Sequence, residues 1–375
     1  MKIPLSNPDI TQKEIDAVVS VLKTPNLSLG PKLPEFEKKF ANYIGTKHAI
    51  AVNSGTSALH LCVKALGIKS GDEVITTPFS FIASANCILF EQAKPIFVDI
   101  KEATLNIDEN KIEEKITKKT KAILPVHVFG YPCNMEKIKR IAKKYKLAVI
   151  EDSCEAIGAE IKGEKIGTFG NAAVFAFYPN KQMTTGEGGI IATNDDEIAR
   201  LSKSMRNQGR DENAEWLEHN RLGYNYRISD INCALGIAQL ERIDDLLSKR
   251  SKVAELYSKP LSGISEIILP PEDSGNMKRS WFVYVIRLKE MFSELQRNNI
   301  IKGLRGKGIS CSAYFPPIHL QPFYRKQFGF KNNDFPITEK IAKRTIALPF
   351  YNKLSGTQIS YIGNQLRNIL KKREN

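Results

Sequence analysis

Residues 122–152 read AILPVHVFGYPCNMEKIKRIAKKYKLAVIED, and this stretch decides the fold class. Residues 122–126 are a short apolar run of strand length. Residues 135–146 follow as a helical stretch with lysines along its polar face. Residues 148–150 are a second apolar run. Strand, amphipathic helix and strand in that order form a βαβ unit, whose strands lie parallel and are buried on both faces.

The same alternation extends outward. Strand-like runs recur at 49–52, 73–76, 95–98, 173–177 and 189–192. A helical pattern starting at Pro34 sets Phe36, Phe40 and Tyr43 on one face, and residues 56–66 set Ala58, Leu59, Cys62 and Leu66 inward. The pattern predicts an α/β fold, with a mostly parallel sheet covered by helices. After about residue 245 it changes. A helix over 229–247 gives way to Lys249-Arg250, the loop Leu269-Pro270-Pro271, a strand over 281–288, a further helix and strand, and a helix over 357–371. That second part reads as a smaller α+β domain. The expected division is 12–245 for the major domain and 246–375 for the smaller one, with residues 1–11 packed on the latter.

Composition narrows the function classes. A length of 375 residues allows two domains at roughly 150 residues each. The start, Met1-Lys2-Ile3-Pro4, lacks the apolar run of a signal peptide, and no stretch approaches the roughly 18 consecutive apolar residues of a membrane helix. The expected location is the cytoplasm, with no membrane partner. Six cysteines show neither C-x-x-C pairs nor zinc spacing, so buried free thiols and no metal are expected. The net charge of +14 is spread over the polar faces of helices without interleaved aromatics. A nucleic-acid surface is therefore not expected. A basic surface also attracts anionic small substrates.

Chemistry gathers at the strand ends. Lys181 lies in Phe177-Tyr178-Pro179-Asn180-Lys181-Gln182-Met183-Thr184-Thr185-Gly186-Glu187-Gly188-Gly189, a polar, Gly-rich turn between two strand-like runs. An amine held there and desolvated becomes nucleophilic; the alternative is one more solvated loop lysine. Asp152 ends an apolar run, where ligands bind in open α/β sheets. Its carboxylate suits a protonated pyridine nitrogen, or else caps the next helix. Asn53-Ser54-Gly55-Thr56-Ser57 joins a strand to a helix and offers hydroxyls and backbone N–H groups to a phosphate, or is a plain helix cap. Phe81, after the run at 73–77, suits stacking on a planar ring or a place in the core.

Taken together, these residues resemble the DegT/DnrJ/EryC1/StrS sugar aminotransferases, a branch of the fold type I enzymes dependent on pyridoxal 5′-phosphate (PLP). The resemblance spans almost the whole chain. It rests on Leu29-Gly30-Pro31, Asn53-Ser54-Gly55-Thr56, Glu151-Asp152-Ser153-Cys154-Glu155-Ala156, Asn180-Lys181 with the Gly-rich turn, Gly223-Tyr224-Asn225-Tyr226-Arg227 and Phe315-Pro316-Pro317-Ile318-His319. It implies that Lys181 carries PLP as a Schiff base and shuttles the proton. It implies that Asp152 meets the pyridinium, that Phe81 stacks on the ring, and that Gly55, Thr56 and Ser57 hold the phosphate. Asn225 would reach the phosphate in a neighbouring subunit, so a homodimer with shared active sites is implied.

Glu155 falls where the family often has Gln or His near the ring oxygen. Glu occurs there in perosamine-synthase-like members, which points to amination at C4 of a 4-keto-6-deoxy sugar. The implied reaction moves an amino group from L-glutamate to a nucleotide-linked keto sugar in amino-sugar or surface-polysaccharide biosynthesis. Ser28, with Asn26 near it, and Tyr314 and His319 are the implied substrate residues. Arg279 and Lys278 are candidates for a diphosphate. One departure stands out: many members have a phosphate-binding Ser five residues before the lysine, and here it is Ala176. The competing readings are another PLP reaction on a nucleotide sugar, such as dehydration, and a non-catalytic regulator that keeps the fold.

Overall fold

The computed structural model describes residues 1–213 and 215–371 of the chain. Its first part carries β1 (His48–Val52), β2 (Glu73–Thr76), β3 (Lys94–Phe97), β4 (Thr120–Ile123) and β5 (Ala148–Asp152). A short hairpin of β6 (Glu160–Ile161) and β7 (Glu164–Lys165) follows, and then β8 (Ala172–Ala176) and β9 (Gly189–Thr193). The large sheet has seven strands in the order β1-β9-β8-β5-β4-β2-β3.

Strands β3, β2, β4, β5 and β8 pair parallel, each reached through a crossover. The expected alternation fails where no helix joins two strands: β5 reaches β8 through the β6–β7 hairpin. Between β8 and β9 there is no helix, so β9 returns antiparallel to β8, and β1 pairs antiparallel to β9. The loop 177–188, which carries Lys181, makes that reversal. Phe177 N–H donates to the Gly188 carbonyl and Thr185 N–H to that of Phe177, both at 3.0 Å. Gly186 takes φ +82, a left-handed conformation that side chains disfavour.

Period-two alternation buries both faces of the sheet. In β8, Val174 packs with Leu59, Val63, Val74 and Ile150, while Ala173 and Phe175 face Phe36 and Phe40 on the other side. The rings of Phe40 and Phe175 meet edge-on at 5.2 Å. Full burial of one such side chain stabilises by about 2 kcal/mol.

A second sheet is built from β10 (Ile267–Ile268), β12 (Tyr284–Leu288) and β13 (Thr345–Leu348), while β11 (Met277–Lys278) pairs with β6 instead. Its core includes Tyr257, Ile286, Ile300, Leu304, Ile346, Ile362 and Leu366. Ile3 joins that core; its N–H donates to the Gly308 carbonyl at 2.8 Å. The helix expected over 229–247 is two helices, Asp230–Leu240 and Ile243–Leu261. Arg242 leaves helical geometry between them (φ −111°, ψ 9°), and its guanidinium donates to Glu14 at 2.6 Å. Six free cysteines are present, all buried except the half-buried Cys154. Among the described residues, no helix is long and apolar enough to cross a membrane.

One buried carboxylate fixes the end of β5. Glu151 accepts from the amides of Gly170 (2.7 Å), Phe169 (2.8 Å) and Gly167 (3.1 Å). His127 Nε2 lies 3.3 Å from it. The Cys133 amide donates to His127 Nδ1, so Nε2 carries the proton that faces Glu151. Removing this acceptor strands several buried donors, at about 1–3 kcal/mol each. Glu151→Ala should therefore lose about 3 kcal/mol or more, read as a lower urea midpoint. An unchanged midpoint contradicts this account.

Candidate active site

Asp152 closes β5 and is buried. No helix begins after it, so it is not an N-cap. Its Oδ2 accepts from Ser84 Oγ at 2.6 Å, and its Oδ1 from the Cys154 amide at 3.2 Å. Ser84 is in turn 2.8 Å from Ser80 Oγ. The two serines stand four residues apart at the start of the helix Ala83–Phe90. They aim the carboxylate. Their i, i+4 spacing was the available signal, and the sequence reading gave them no role.

Lys181 reaches the same strand end. Its Nζ is 3.7 Å from Glu155 Oε1 and 4.0 Å from the centre of the Phe282 ring. Burial pushes the Glu155 carboxyl above its ordinary value, while the charge of Lys181 pulls it back down. Glu155 Oε2 also accepts from the Phe129 amide at 2.8 Å. Tyr314 stands near: burial, and then the charges of Glu155 and Tyr178, hold its phenol above the usual range.

The lysine loop is clamped from far along the chain. Arg250 NH2 donates to the Lys181 carbonyl at 2.8 Å, and NH1 to the Phe282 carbonyl at 3.2 Å. Burial lowers the Arg250 pKa to about 10. Gln182 Nε2 donates to the Glu155 carbonyl at 2.6 Å. Arg250 carries no local motif, so the sequence reading missed it.

The helix Gly55–Ala65 starts beside β8. Its N-cap Ser54 accepts from the Ser57 amide at 3.1 Å, and Ser57 Oγ donates to Asn53 Oδ1 at 2.7 Å. The first-turn amides of Gly55 and Thr56 have no acceptor within the helix. A Cβ on Gly55 would fall 2.7 Å from Ala176 Cβ and 3.2 Å from Cys154 Sγ, so only glycine fits. Ala176 thus borders the cradle. Phe81, 62% exposed, stands on the turn that leads to Ser84.

The set fits PLP: an amine beside a buried acid, a held carboxylate for a pyridinium, and a helix N-terminus bare for an anion. Residues 8–367 match the DegT/DnrJ/EryC1/StrS aminotransferase family. This chain belongs to that family. The Bacillus subtilis spore coat polysaccharide biosynthesis protein SpsC is 39% identical over 380 residues, covering 98% of this chain and 97% of its own. GDP-perosamine synthase of Caulobacter vibrioides is 39% identical over 371 residues, covering 98% of both chains. The structure of Helicobacter pylori PseC, an aminotransferase of pseudoaminic acid biosynthesis, superposes with a TM-score of 0.94 at 30% identity over 99% of this chain and 100% of that one. The chain is a PLP-dependent aminotransferase.

The remaining candidates divide. Ser28 is exposed and bridges Ser229 on the loop anchored by Asp230, which accepts from the Gly30 amide at 2.7 Å. Asn225 is exposed, and its carbonyl accepts weakly from Asn53 Nδ2 at 3.4 Å. Lys278 pairs with Glu160 at 3.2 Å, and Arg279 is buried between Tyr131 and Trp281. His319 is fully buried, 3.1 Å from Glu339 Oε1 and walled by Phe330 and Phe335. That places it in the core rather than in a substrate cleft.

Burial holds the His319 pKa below its ordinary value. The unfolded chain takes a proton near pH 6.5 that the folded His319 refuses, so its stability contribution is full above that pH and is lost as pH falls. Buried His60 is lowered likewise. His319→Gln should flatten the fall of the urea midpoint between about pH 7 and about pH 5. Parallel curves for variant and wild type would exclude this titration.

Proposed function

We propose that this aminotransferase moves an amino group from L-glutamate to a nucleotide-linked keto sugar, specifically a 4-keto-6-deoxy sugar, for amino-sugar or surface-polysaccharide biosynthesis. The observation that carries the reading is Lys181 Nζ at 3.7 Å from Glu155 at the Asp152 strand end. Glu155 stands where the resemblance places perosamine-synthase-like members. The 39% identity to a GDP-perosamine synthase supports the same sugar class.

Each residue then has a task. Lys181 would hold the cofactor through Nζ, and Asp152, aimed by Ser84, would meet its ring nitrogen. Gly55, Thr56 and Ser57 would receive the phosphate, and Phe81 would cover the ring. Bound PLP supplies an electron-withdrawing ring for the carbon that loses a proton. Lys181 Nζ takes the proton from the Cα of the amino donor and hands it on. Glu155, 3.7 Å from Lys181 Nζ, keeps a hydrogen-bonding partner within reach of the amine when it is displaced. Tyr314 and Ser28 border the sugar.

A second copy of the chain completes each site. Exposed Asn225 points away from its own chain's core, and Leu29, Trp216 and Leu222 are exposed apolar side chains, with Trp216 at 86%.

Lys181→Ala should lose the visible absorbance of covalently held cofactor and at least about a thousandfold in turnover. A variant of wild-type activity would falsify the assignment. A panel of UDP-, GDP- and dTDP-linked keto sugars with L-glutamate, read by mass, should show amination of a 4-keto-6-deoxy member. Conversion of glutamate with no sugar aminated would remove the sugar from the proposal.

Ala176→Ser should restore a hydroxyl beside the cradle. One hydrogen bond of about 1 kcal/mol corresponds to roughly fivefold tighter PLP binding. Fluorescence titration of apoenzyme tests this, and equal or weaker binding counts against the placement of the phosphate.

A further inference from the structure

The helix Gly55–Ala65 offers its N-terminus to an anion and carries His60 at its middle. His60 is buried among rings: Tyr224 at 4.9 Å, Phe90 at 5.1 Å and Tyr226 at 5.9 Å. Both of its nitrogens are taken. Nε2 lies 2.7 Å from Glu91 Oε1, and Nδ1 lies 3.0 Å from Tyr226 Oη. Lys64 Nζ donates to Glu91 Oε2 at 2.8 Å. Burial alone would raise the Glu91 carboxyl, but the hydrogen bonds from Lys64 and His60 outweigh it and hold the group below its ordinary value. An ionised carboxylate only accepts, so Nε2 carries the proton. Nδ1 is left to accept from the Tyr226 hydroxyl.

This network fixes both neighbours of Asn225. The rings of Tyr224 and Tyr226 stack at 4.8 Å and 10°, and Tyr224 Oη donates to Glu91 Oε1 at 3.4 Å. Backbone bonds add to the hold. The Tyr226 carbonyl accepts from the Asn53 amide at 2.9 Å, and its own amide donates to the Arg206 carbonyl at 3.0 Å. Asn225, between the tyrosines, is exposed, and its carboxamide makes no hydrogen bond among the described residues. Nothing in its own chain holds that side chain. Its placement is inherited from the two tyrosines, and theirs from the Lys64–Glu91–His60 chain.

Neither the cofactor's chemistry nor the cradle of the same copy uses His60. Buried polar groups of this kind add direction more than stability. We infer that His60 is a positioning residue: through the Tyr226 hydroxyl it sets Asn225 for the cofactor phosphate of the second copy. The inference rests on the proposed composite site. Each Gly55–Ala65 helix then serves two sites, its own through its N-terminus and the partner's through His60.

The test is fluorescence titration of full-length apoenzyme with PLP at fixed protein concentration. Tyr226→Phe keeps the ring and removes the hydroxyl. It should weaken PLP binding roughly fivefold, the worth of one hydrogen bond. His60→Gln, which reaches Glu91 but not Tyr226, should weaken binding as much. His60→Asn, which keeps an acceptor near the Nδ1 position, should restore most of it. Asn225→Ala should weaken binding about tenfold or more, as expected for a bond to a charged group. Adding Tyr226→Phe to Asn225→Ala should then cost nothing further, because the hydroxyl acts only through Asn225. A tie that merely supports the fold, or that acts through the helix's own cradle, would weaken both backgrounds equally. Equal loss in both backgrounds overturns the inference. Wild-type affinity in Tyr226→Phe also overturns it and, while Asn225→Ala still binds weakly, leaves the composite site standing. Wild-type affinity in Asn225→Ala removes the composite site, and the inference with it. The Tyr226–Asn225 cycle decides the matter even where a His60 variant does not fold.

Discussion

A half-buried amine beside a buried carboxylate is costly unless both are held, and much of this chain holds them. Lys181 and Glu155 meet at 3.7 Å where little water reaches. Neither can drift. Arg250 grips the lysine loop by its carbonyls, Gln182 binds the Glu155 carbonyl, and the Phe129 amide fixes the Glu155 carboxylate. Glu151, on the opposite face of β5 from Asp152, ties the same strand end to the turn at 167–170. The result is a preorganised cluster in which charge is set before any ligand arrives.

That cluster depends on a topological exception. A crossover helix after β8 would have returned the chain parallel and carried Lys181 away from the strand ends. The direct return to β9 keeps the lysine within residues 177–188, over the carboxyl ends of β5 and β8. Parallel neighbours supply Asp152 and its surroundings, and the antiparallel strand supplies the amine. Gly186 and the hydroxyls of Thr184 and Thr185 make the turn possible within that span.

Much of this was legible in the sequence, for physical reasons. Strands buried on both faces read as unbroken apolar runs, so the strands of the large sheet could be placed to within about three residues. Lys181, Asp152 and Gly55 sat at strand ends and turns, where local pattern and chemistry coincide. What was not legible was nonlocal. Arg250 and Ser84 act through partners 69 and 68 residues away, and no window of sequence relates them. The break at Arg242 also escaped, because the apolar period runs across it and only Glu14 draws the arginine out. His319 looked like a binding residue because of its Phe-Pro-Pro neighbours, yet its ring is enclosed by aromatics that the fold brings from 330 and 335.

The two-faced segment at 224–227 constrains how this chain can change over time. Tyr224 and Tyr226 stack on one another beside His60 while Asn225 between them is exposed, an alternation set by parity. Inserting or deleting one residue there would exchange the faces, burying a guanidinium against His60 and exposing two rings. Substitutions at single positions remain open to drift, but length does not. The segment should therefore keep its residue count in descendants of this chain even where side chains are replaced, and a graft of a new pocket onto this scaffold has to respect the same count.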